Sequence, residues 1–600
     1  MTNLLDRARA WIAADPDSST GDELARIVDD ASQSEDETKR AAALRDLSER
    51  FAGPLEFGTA GLRGIMGAGE TRMNLAVIRR TTLGLAKYLK TNARRETLEK
   101  GVVIGYDGRR HSWEFSQETA CVLAAAGIRS LIAPSLCPTP FAAFAVDKLG
   151  AAAGVMITAS HNPPEYNGYK AYWDNGAQII PPHDKGIAAA IDTCPEAKNV
   201  PTMSFEQAQA EGWVKFFPDE LLENYLSEID KLWVCPAQDN DLCIVYTPMH
   251  GVGEKYMRMA MTRAGFGGYR TVPEQAEPDG NFPTVAFPNP EEKGAMDLSF
   301  ALAERERADL VLANDPDADR LAVAVPKPGG GYVQLTGNQV GTLLGHYLLT
   351  TSPACLSSET AVKDAAQKVV IASIVSSPML GAIAKTLGAR YEETLTGFKW
   401  IANRAMELEK AERLHFVFGY EEALGYTVGP LVRDKDGISA GVLFAELAAL
   451  LKKNGRSVLD ELESLSRRYG HYASGQRSVT LPGADGMSQM KAAMDRLRSA
   501  RPTAIGALGV LAIADFQARV RTYADGRTEA LTLPVTNMIA FDLEGGSRII
   551  ARPSGTEPKI KFYFDVREPM AEGESMQVAD DRALARMDEL KKAFGVLAGV

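Results

Sequence analysis

The sequence predicts an α/β fold in which three related α/β domains with mixed sheets precede a C-terminal α+β domain. Two observations support this prediction. A similar opening, an apolar β run followed by a helical stretch, recurs at intervals of about 130 residues. Near the C-terminus, short strands instead follow one another closely and a helix comes after them, which is typical of an α+β domain.

The repeated openings are continuous apolar runs, which is the pattern of strands buried on both faces of a sheet. Because the pattern repeats, we expect domains that share a fold. The runs and their following helices are 102–108 with 116–126, 242–248 with 254–264, and 369–375 with 379–387. The predicted C-terminal strands are 537–543, 547–552 and 559–566, and the predicted helix there is 580–594. Residues 1 to about 50 are typical of amphipathic helices with acidic surfaces.

Composition limits the class of protein and its partners. The chain has 600 residues, enough for several domains, and its net charge of −12 argues against nucleic acid as a partner. Local clusters of Lys and Arg can still bind an anionic small substrate. The N-terminus lacks the pattern of a signal peptide, and the longest apolar run, 438–451, is interrupted by Glu446 and predicts a core helix. We therefore expect a cytoplasmic protein with no membrane partner.

The cysteines indicate no redox or metal site. None of them forms a CxxC pair, so we expect reduced core thiols. They lie at positions 121, 137, 194, 235, 243 and 355.

The first chemical motif is residues 154–170, where an apolar strand leads into a polar turn that presents Ser160, and Lys170 follows ten residues later. Because chemistry in α/β proteins lies where strands end, Ser160 is a candidate covalent site. The alternative is a turn-forming serine. His161 is adjacent in sequence and is expected to point away from Ser160 in extended backbone. No G-x-S-x-G elbow is present, so a hydrolase triad is not favoured.

The second motif places Asp315, Asp317 and Asp319 at alternate positions after an apolar strand. Three carboxylates on one side of extended backbone suit Mg²⁺ or another hard divalent cation. An EF-hand loop is excluded, because Arg320 and Pro326 occupy the positions that need Gly and Glu. The alternative is a solvated acidic turn. A serine that carries a phosphoryl group beside a metal site would indicate phosphoryl transfer.

Three further loops carry candidate binding residues. The turn 552–559, between two predicted strands, can cradle a phosphate or can be an ordinary β-turn. The segment 419–425 carries adjacent glutamates that can accept hydrogen bonds from sugar hydroxyls, although adjacent residues cannot flank a glycosidic bond, and a helix N-terminus is the alternative. The Gly-rich loop 56–64 is a weak signal alone. The candidate residues are Arg552, Ser554, Gly555, Thr556 and Lys559 in the turn 552–559, Glu421 and Glu422 in the segment 419–425, and Arg63 in the Gly-rich loop.

Together these motifs resemble the α-D-phosphohexomutase superfamily, which includes phosphoglucomutase and phosphomannomutase. The resemblance spans about residues 50 to 570, and four separated motifs occur in the family's order. Residues 158–163 resemble the phosphoserine loop and 315–320 the metal loop. Residues 419–425 resemble the sugar-specificity loop and 552–556 the phosphate-binding loop.

The resemblance implies four domains around a central cleft, with the fourth as a mobile lid. These are an N-terminal extension with the phosphoserine domain (1–238), a metal-binding domain (239–352), a sugar-recognition domain (353–472) and a phosphate-binding lid (473–600). It also implies a monomer or small homo-oligomer that binds a phosphosugar.

The resemblance also assigns roles to individual residues. Ser160 would carry the phosphoryl group, and Mg²⁺ would be held by that group together with the three aspartates. Lys170 and His161 match positions that assist proton transfer, and Arg63 and Arg320 match positions that stabilise charge. The sugar would be contacted by a loop whose residues include Thr396, Gly397 and Lys399. A sugar 1,6-bisphosphate would be both the intermediate and the activator.

The expected sugar is glucose, but one position departs from the common hexomutase pattern. Ala423 stands where many relatives have Ser, so a hydroxyl donor is missing. Segments 421–426 and 434–437 are more similar to the branch with phosphopentomutase and glucose-1,6-bisphosphate synthase activities. Mannose or pentose specificity and bisphosphate synthesis are therefore alternatives. A sugar phosphatase and a silent sugar-phosphate binding protein are alternatives of a different class.

Overall fold

The computed structural model describes residues 2–58, 61–234, 241–351, 364–481, 485–554 and 558–600. Contacts divide the chain into two compact units. The first unit contains the described residues of Met1–Leu335 and Gly425–Ala449. The second contains those of Thr336–Ser352, Val362–Leu424 and Leu450–Val600.

The first unit begins with three helices that have a small core of their own. They are α1 (Thr2–Ala14), α2 (Ser18–Gln33) and α3 (Glu37–Arg50), which confirms the helices expected in this region. Aspartates cap two of them, because Asp17 accepts from Ser19 N and Asp36 from Thr38 N. Their shared core includes Leu24, Val28, Leu47 and Phe51.

The first sheet has six strands in the order β1-β5-β4-β2-β3-β6. Strands β2, β3, β4 and β6 are parallel neighbours, whereas β5 and β1 join antiparallel at one edge. The strands are β1 (Leu62–Ile65), β2 (Val102–Tyr106), β3 (Ser130–Ile132), β4 (Ala153–Ile157), β5 (Tyr166–Trp173) and β6 (Val214–Phe216). The helices are α4 (Leu75–Asn92), α5 (Arg95–Lys100), α6 (Ser112–Ala125), α7 (Thr139–Leu149), α8 (His183–Asp192), α9 (Phe205–Ala210) and α10 (Leu221–Asp230).

The second sheet of this unit has five strands in the order β11-β10-β9-β7-β8. Strand β7 lies parallel to β8 and β9, and β10 turns back antiparallel to β9. The strands are β7 (Ile244–Thr247), β8 (Tyr269–Thr271), β9 (Leu310–Ala313), β10 (Ala322–Pro326) and β11 (Tyr332–Gln334). Two helices belong to this sheet, α11 (Gly253–Arg263) and α12 (Asp297–Glu306).

The second unit contains a third sheet, in which β12 lies parallel to both β13 and β14. These strands are β12 (Lys368–Ser373), β13 (Arg390–Thr394) and β14 (His415–Glu421). Helices α13 (Gly337–Thr350), α14 (Met379–Leu387) and α15 (Phe398–Glu412) accompany them. The chain then supplies β15 (Gly425–Val428) and the start of α16 (Gly437–Lys453) to the first unit, and α17 (Val458–Tyr469) follows.

The C-terminal sheet of the second unit has the order β16-β23-β22-β21-β18-β19-β20, with β17 paired to β18. Phe594 packs edge-on against the rings of Phe541, Phe562 and Phe564, at centroid distances of 5.2–6.0 Å. The strands are β16 (His471–Thr480), β17 (Ala504–Ile505), β18 (Leu508–Asp515), β19 (Val520–Tyr523), β20 (Thr528–Ala530), β21 (Ile539–Leu543), β22 (Arg548–Pro553) and β23 (Lys559–Glu568). The helices are α18 (Gly486–Ala500) and α19 (Met576–Ala598).

The predicted fold class is confirmed, since three α/β sheets precede an antiparallel sheet covered by helices. Each predicted strand and helix of the repeated openings is present within a few residues of its predicted bounds. Helix α18 and strands β16–β20 were not predicted. The boundaries expected at 238/239 and 352/353 lie outside the described residues, and 472/473 lies inside β16. The domain limits stay predictions.

Two further expectations concern the cysteines and the membrane. Cys121, Cys137 and Cys194 are buried free thiols and Cys243 is a half-buried one, while Cys235 and Cys355 lie outside the described residues. Within the part of the chain that the structure describes, no helix is both long and apolar enough to cross a bilayer.

Candidate functional site

Ser160 lies in the loop that joins the buried strand β4 to β5. Its backbone has φ +53°, a left-handed conformation that a non-glycine residue adopts at a cost. Its N–H donates to Thr158 Oγ1 at 2.8 Å, and its side chain is almost fully buried, at 3% exposure for the residue. Ser160 Oγ donates to Asp315 Oδ2 at 2.8 Å. The hydroxyl therefore points directly at the aspartate cluster.

The expectation that His161 points away from Ser160 is wrong. His161 Nδ1 lies 3.1 Å from Ser160 Oγ. The reason is the left-handed φ of Ser160, which removes the extended geometry on which the expectation depended. Burial, followed by the positive charges of Arg320 and Arg63, lowers the pKa of His161 to about 2. The imidazole is therefore neutral.

The aspartates Asp315, Asp317 and Asp319 lie in the loop between β9 and β10, and each is at most 1% exposed. One carboxylate oxygen from each lies within 4.8 Å of the others. Ala318, between two of them, has φ +55°. The alternative of a solvated acidic turn is therefore wrong, because three carboxylates are packed together away from water.

Two ammonium groups and a hydroxyl offset this concentration of negative charge. Lys170 Nζ donates to Asp317 Oδ2 at 2.6 Å and to Asp319 Oδ2 at 2.8 Å. Lys435 Nζ lies 3.3 Å from Asp319 Oδ2. Thr139 Oγ1 donates to Asp317 Oδ2 at 2.6 Å. Buried carboxylates of this kind are stable only when they are paired in this way.

The charges of the cluster shift the pKa values in opposite directions. Burial and then the carboxylates of Asp317 and Asp319 raise the pKa of Asp315 well above its usual value. Burial acts in the same direction on Asp317, but the Lys170 ammonium and the hydrogen bonds from Lys170 and Thr139 together outweigh it, so the pKa of Asp317 lies below its usual value. Burial opposes the charged form of Lys170, yet both aspartates raise its pKa. Lys170 is therefore held as an ammonium.

The donor atoms of the cluster fit a hard divalent cation. Asp317 Oδ1 and Asp319 Oδ1 are buried and accept no hydrogen bond from the described part of the chain. A buried carboxylate oxygen without a donor is costly, and a cation within reach of all three groups would satisfy it. The oxygen-only ligand set suits Mg²⁺ better than a softer metal.

Two arginines lie near the same loops. Arg63, on edge strand β1 opposite Gly168 of β5, donates from Nη1 to Asn162 Oδ1 at 2.9 Å. Arg320 donates its backbone N–H to Asp315 Oδ1 at 3.0 Å, and its Nη1 lies 3.5 Å from Glu291 Oε2. The structure therefore brings together every residue of the first unit that the sequence analysis assigned to the site.

The predicted sugar loop is in the second unit, between β13 and α15. Gly397 has φ +111°, and its N–H donates to Glu421 Oε1 at 2.7 Å. Thr396 Oγ1 accepts a hydrogen bond from Arg552 Nη1. Lys399 is 5% exposed, and its Nζ lies 5.4 Å from the centre of the Trp400 ring. The sugar loop and the phosphate loop therefore touch within this unit.

Glu422, beside Glu421, faces the end of β12. Its Oε2 accepts from Ser373 Oγ at 3.1 Å and from Ser376 Oγ at 3.3 Å. Segment 419–425 joins the end of strand β14 to strand β15, so the alternative of a helix N-terminus is wrong. Both glutamates are partly exposed.

The predicted phosphate loop joins β22 to β23, as expected from its position between two strands. Arg552 is the fifth residue of β22, and Lys559 begins β23. Ser554 N donates to Lys559 O at 2.7 Å and closes the turn. Gly555 and Thr556 lie outside the described residues.

The sequence did not indicate three residues that contact the aspartates or the Ser160 loop, namely Thr139, Lys435 and Arg109. Thr139 begins α7, and Lys435 belongs to a segment that had been noted only for its family branch. Gly437, two residues later, is required there because a Cβ would lie 2.3 Å from Arg320 O. Arg109 follows β2, and its contacts are described below. No local pattern links any of them to the aspartates.

Comparisons with known proteins agree with this geometry. Models of the phosphoglucomutase/phosphomannomutase family match the chain domain by domain: α/β/α domain I at 54–198, domain II at 223–330, domain III at 336–469 and the C-terminal domain at 495–583. A Haemophilus influenzae protein designated "probable phosphomannomutase" is 41% identical over 521 residues, covering 86% of this chain and 96% of the relative. The chain belongs to the phosphoglucomutase/phosphomannomutase family.

Other relatives carry several activity names. Human phosphopentomutase is 36% identical, covering 96% of this chain and 93% of the relative. Phosphoglucomutase of Staphylococcus saprophyticus is 35% identical, covering 86% and 91%. The Paramecium phosphoglucomutase parafusin in its open form, 18% identical with a TM-score of 0.64 and 91% and 96% coverage, supports the fold. The resemblance to the α-D-phosphohexomutases is confirmed, and with it the class of enzyme, a phosphosugar mutase.

Proposed function

We propose that this protein interconverts hexose 1-phosphates and hexose 6-phosphates through a phosphoserine at Ser160, with glucose phosphate as the preferred substrate. The observation that carries the proposal is the hydroxyl of Ser160, which lies 2.8 Å from Asp315 Oδ2 at the edge of a buried three-carboxylate cluster. A phosphoryl group on this oxygen would face the cluster directly. Family membership supports the same chemistry.

The transfer step exchanges one P–O bond for another. The free hydroxyl of a bound sugar monophosphate attacks the phosphorus of phosphoserine 160, the bond to Ser160 Oγ breaks, and a 1,6-bisphosphorylated sugar forms. The proton of the sugar hydroxyl passes to a base, and Ser160 Oγ regains a proton. In the second half-reaction the other phosphate returns to Ser160, so that no net phosphate is consumed. Such catalysis depends on positioning and charge stabilisation.

We assign the metal site to Asp315, Asp317 and Asp319, with phosphoserine 160 as a further ligand. Mg²⁺ bound there would offset the negative charge of the phosphoryl group during transfer. The three aspartates hold that position because their loop is fixed by Thr139 and Lys170.

Proton transfer and charge stabilisation fall to the remaining residues around Ser160. We propose that His161, which lies within reach of the Ser160 oxygen, and Lys170 assist proton transfer. Arg63 and Arg320 would interact with the equatorial phosphoryl oxygens. Lys170 is buried, which strengthens its interactions, whereas Arg63 is exposed.

Substrate recognition falls to the loops of the second unit. We propose that Thr396, Gly397, Lys399, Glu421 and Glu422 contact the sugar, and that the distal phosphate is bound by Arg552, Ser554, Gly555, Thr556 and Lys559. The contact between Arg552 and Thr396 supports a joint role for the two loops. Arg–phosphate pairs are among the strongest hydrogen bonds of proteins.

The sugar is the finer part of the proposal. Pentose phosphate is a second candidate, favoured by Ala423, which lacks the hydroxyl donor common at that position, and by relatives named phosphopentomutase and phosphoribomutase. The test is a comparison of kcat/KM for the 1-phosphates of glucose, mannose, glucosamine and ribose. Glucose is expected to give the highest value. A higher value for ribose would transfer the assignment to a pentomutase.

A phosphatase and a silent binding protein are distinguished by the products. We expect isomerisation to exceed phosphate release, since a separate distal-phosphate loop is needed only when two phosphates are held. Dominant phosphate release would indicate a phosphatase, and no turnover with any sugar would indicate a binding protein. Net formation of sugar bisphosphate from another phosphoryl donor would indicate a bisphosphate synthase.

The remaining features of the proposal come from the sequence and the family. A sugar 1,6-bisphosphate is the proposed activator, because only phosphorylated Ser160 can act on a monophosphate. We propose that the four predicted domains each supply one motif and that the C-terminal domain is the lid. We also propose that the protein is a cytoplasmic monomer or small homo-oligomer and that it has no nucleic-acid partner.

A further inference from the structure

Arg109 lies in the loop after β2, and the function proposed above gives it no role. Its guanidinium nevertheless donates hydrogen bonds to the backbone of the Ser160 loop. The residue is 4% exposed. Its Nη2 donates to the backbone oxygens of Ser160 at 2.7 Å and of Asn162 at 2.5 Å. Its Nη1 donates to the backbone oxygens of Pro163 at 2.9 Å and of Tyr166 at 3.1 Å. One guanidinium thus binds four carbonyls of a single seven-residue segment.

The side chain of Arg109 is itself fixed by contacts with Asp107 and Phe282. Asp107 Oδ1 accepts from Arg109 N at 3.0 Å and from Ser112 Oγ at 2.8 Å. Asp107 Oδ2 lies 3.6 Å from Arg109 Nε, with both side chains fully buried. The guanidinium also lies 4.9 Å from the centre of the Phe282 ring. The orientation of the fork is therefore set before it meets the loop.

The Ser160 loop requires such an anchor for two reasons. Ser160 has φ +53°, and a residue in this region persists only when its surroundings hold it there. The carbonyls of Ser160 and Asn162 point inward and need donors, because buried backbone oxygens are rarely left unpaired. Only arginine has five N–H groups in a rigid planar fork, and lysine has a single nitrogen.

We propose that Arg109 is a positioning residue of the reaction, which fixes the Ser160 loop so that the Oγ atom faces both Asp315 and His161 in each half-reaction. This inference rests on the proposed role of Ser160. Arg109 does not touch Ser160 Oγ and acts through the backbone. Its replacement should therefore reduce the rate of transfer without changing the affinity for the sugar phosphate.

The experiment compares Arg109→Lys and Arg109→Gln with Arg110→Ala. Arg110 is a matched control, because it is the next residue, is exposed, and donates to Pro164 O of the same loop at 3.1 Å. Both Arg109 variants should lower kcat by about 100-fold, the effect of a misplacement of about 1 Å, with KM for glucose 1-phosphate within about twofold. Arg109→Lys should not restore kcat, because lysine keeps the positive charge but lacks the planar fork of N–H donors. Arg110→Ala should stay within about twofold in both constants.

A second readout separates this inference from the function on which it rests. Dephosphorylated wild type and variants are incubated with glucose 1,6-bisphosphate, and phosphate on Ser160 is followed by intact mass and peptide mapping. Wild type should be phosphorylated rapidly and Arg109→Lys about 100-fold more slowly. A wild type that never gains phosphate on Ser160 would overturn the proposed function. A normally phosphorylated wild type together with an Arg109→Lys variant of equal rate would overturn the role of Arg109.

Folding is controlled by circular dichroism and thermal unfolding. If Arg109→Lys does not fold, Asp107→Asn decides, because asparagine keeps the shape and the acceptor but removes the charge that orients the guanidinium. That variant should lose about tenfold in kcat with KM unchanged, which supports the inference. An unchanged kcat, or a KM that rises while kcat stays constant, would contradict it.

Discussion

The serine–aspartate site of the first unit and the sugar and phosphate loops of the second unit are built differently. Ser160 and the three aspartates are at most 3% exposed, and Asp317 and Asp319 are paired with ammonium groups at 2.6–3.3 Å. Glu421, Glu422 and Arg552 are partly exposed, and they form hydrogen bonds with uncharged groups such as Gly397 N–H, the Ser373 hydroxyl and the Thr396 hydroxyl. The first site is fixed by its own charges, whereas the side chains of the second remain partly open to solvent.

This difference in burial and pairing predicts which kinetic constant each region should control. Buried charges that are already oriented need no rearrangement during transfer, so their loss should lower kcat. Exposed groups that hold parts of the substrate away from the reacting atom act on binding, so their loss should raise KM. Four changes test this division, and they follow in order of decreasing effect on activity.

The largest effect is expected for Ser160→Ala, which should abolish mutase turnover because the atom that receives the phosphoryl group is absent. The fold should persist, since alanine is smaller and buries no new polar group. Activity is measured with glucose 1-phosphate, and the unfolding temperature is the control. Turnover of Ser160→Ala near the wild-type rate would show that the serine carries no phosphoryl group.

Removal of the metal should follow closely. Chelation should reduce kcat to background and Mg²⁺ should restore it, because the aspartates would otherwise repel a phosphoserine of like charge. Asp317→Asn should lower kcat and weaken the Mg²⁺ dependence together, whereas Asp297→Asn, an exposed aspartate at the start of α12, should change neither. Full activity of a metal-free enzyme, verified by elemental analysis, would exclude the role of the cluster.

Arg552→Ala should act mainly on KM. A charge-assisted hydrogen bond contributes about 1.5–3 kcal/mol, so KM for glucose 1-phosphate should rise about 10- to 150-fold. Hydrolysis relative to isomerisation should also rise if the C-terminal domain closes over the substrate. Arg519→Ala, an exposed arginine beside β19 in the same unit, is the control. Unchanged KM and unchanged hydrolysis would make the 552–559 loop an ordinary surface turn.

The smallest effect is expected for Glu421→Gln. Its Oε1 accepts the N–H of Gly397 at 2.7 Å, and a neutral acceptor makes this bond about half as strong. The sugar loop should loosen slightly, which should raise KM about three- to tenfold and leave kcat nearly constant. Steady-state kinetics with glucose 1-phosphate measure both. A fall in kcat larger than the rise in KM would place Glu421 with the chemistry.

The fold was predictable where burial leaves a continuous apolar run. Strands β2, β7 and β12 are buried along their whole length, and their apolar runs predict them. Strand β18 alternates between buried and more exposed positions, so it has no continuous apolar run. Strands β17 and β20 have only two and three residues, which is too short for such a run. Helix α18 was missed although it carries a buried face that includes Met490, Met494 and Leu497.

The site was predictable where its residues are neighbours in sequence. The aspartates lie at alternate positions of one loop, so their clustering follows from backbone geometry. Arg109 contacts Ser160, which lies 51 residues later in the chain, and Lys435 contacts Asp319, which lies 116 residues earlier. No local sequence pattern encodes contacts over such separations. The position of His161 was mispredicted because the left-handed turn at Ser160 is a property of the assembled loop.

The most direct test of the central claim follows the phosphoryl group in a single turnover. Enzyme that carries an isotopically labelled phosphoryl group on Ser160 is mixed with an equimolar amount of glucose 1-phosphate, and the labelled phosphate is followed in protein, sugar bisphosphate, sugar monophosphate and free form. The account predicts that phosphate leaves Ser160 at least as fast as kcat and appears in glucose 1,6-bisphosphate or glucose 6-phosphate. Phosphate that stays on Ser160 while isomerisation proceeds, or that leaves as free phosphate, would contradict the account.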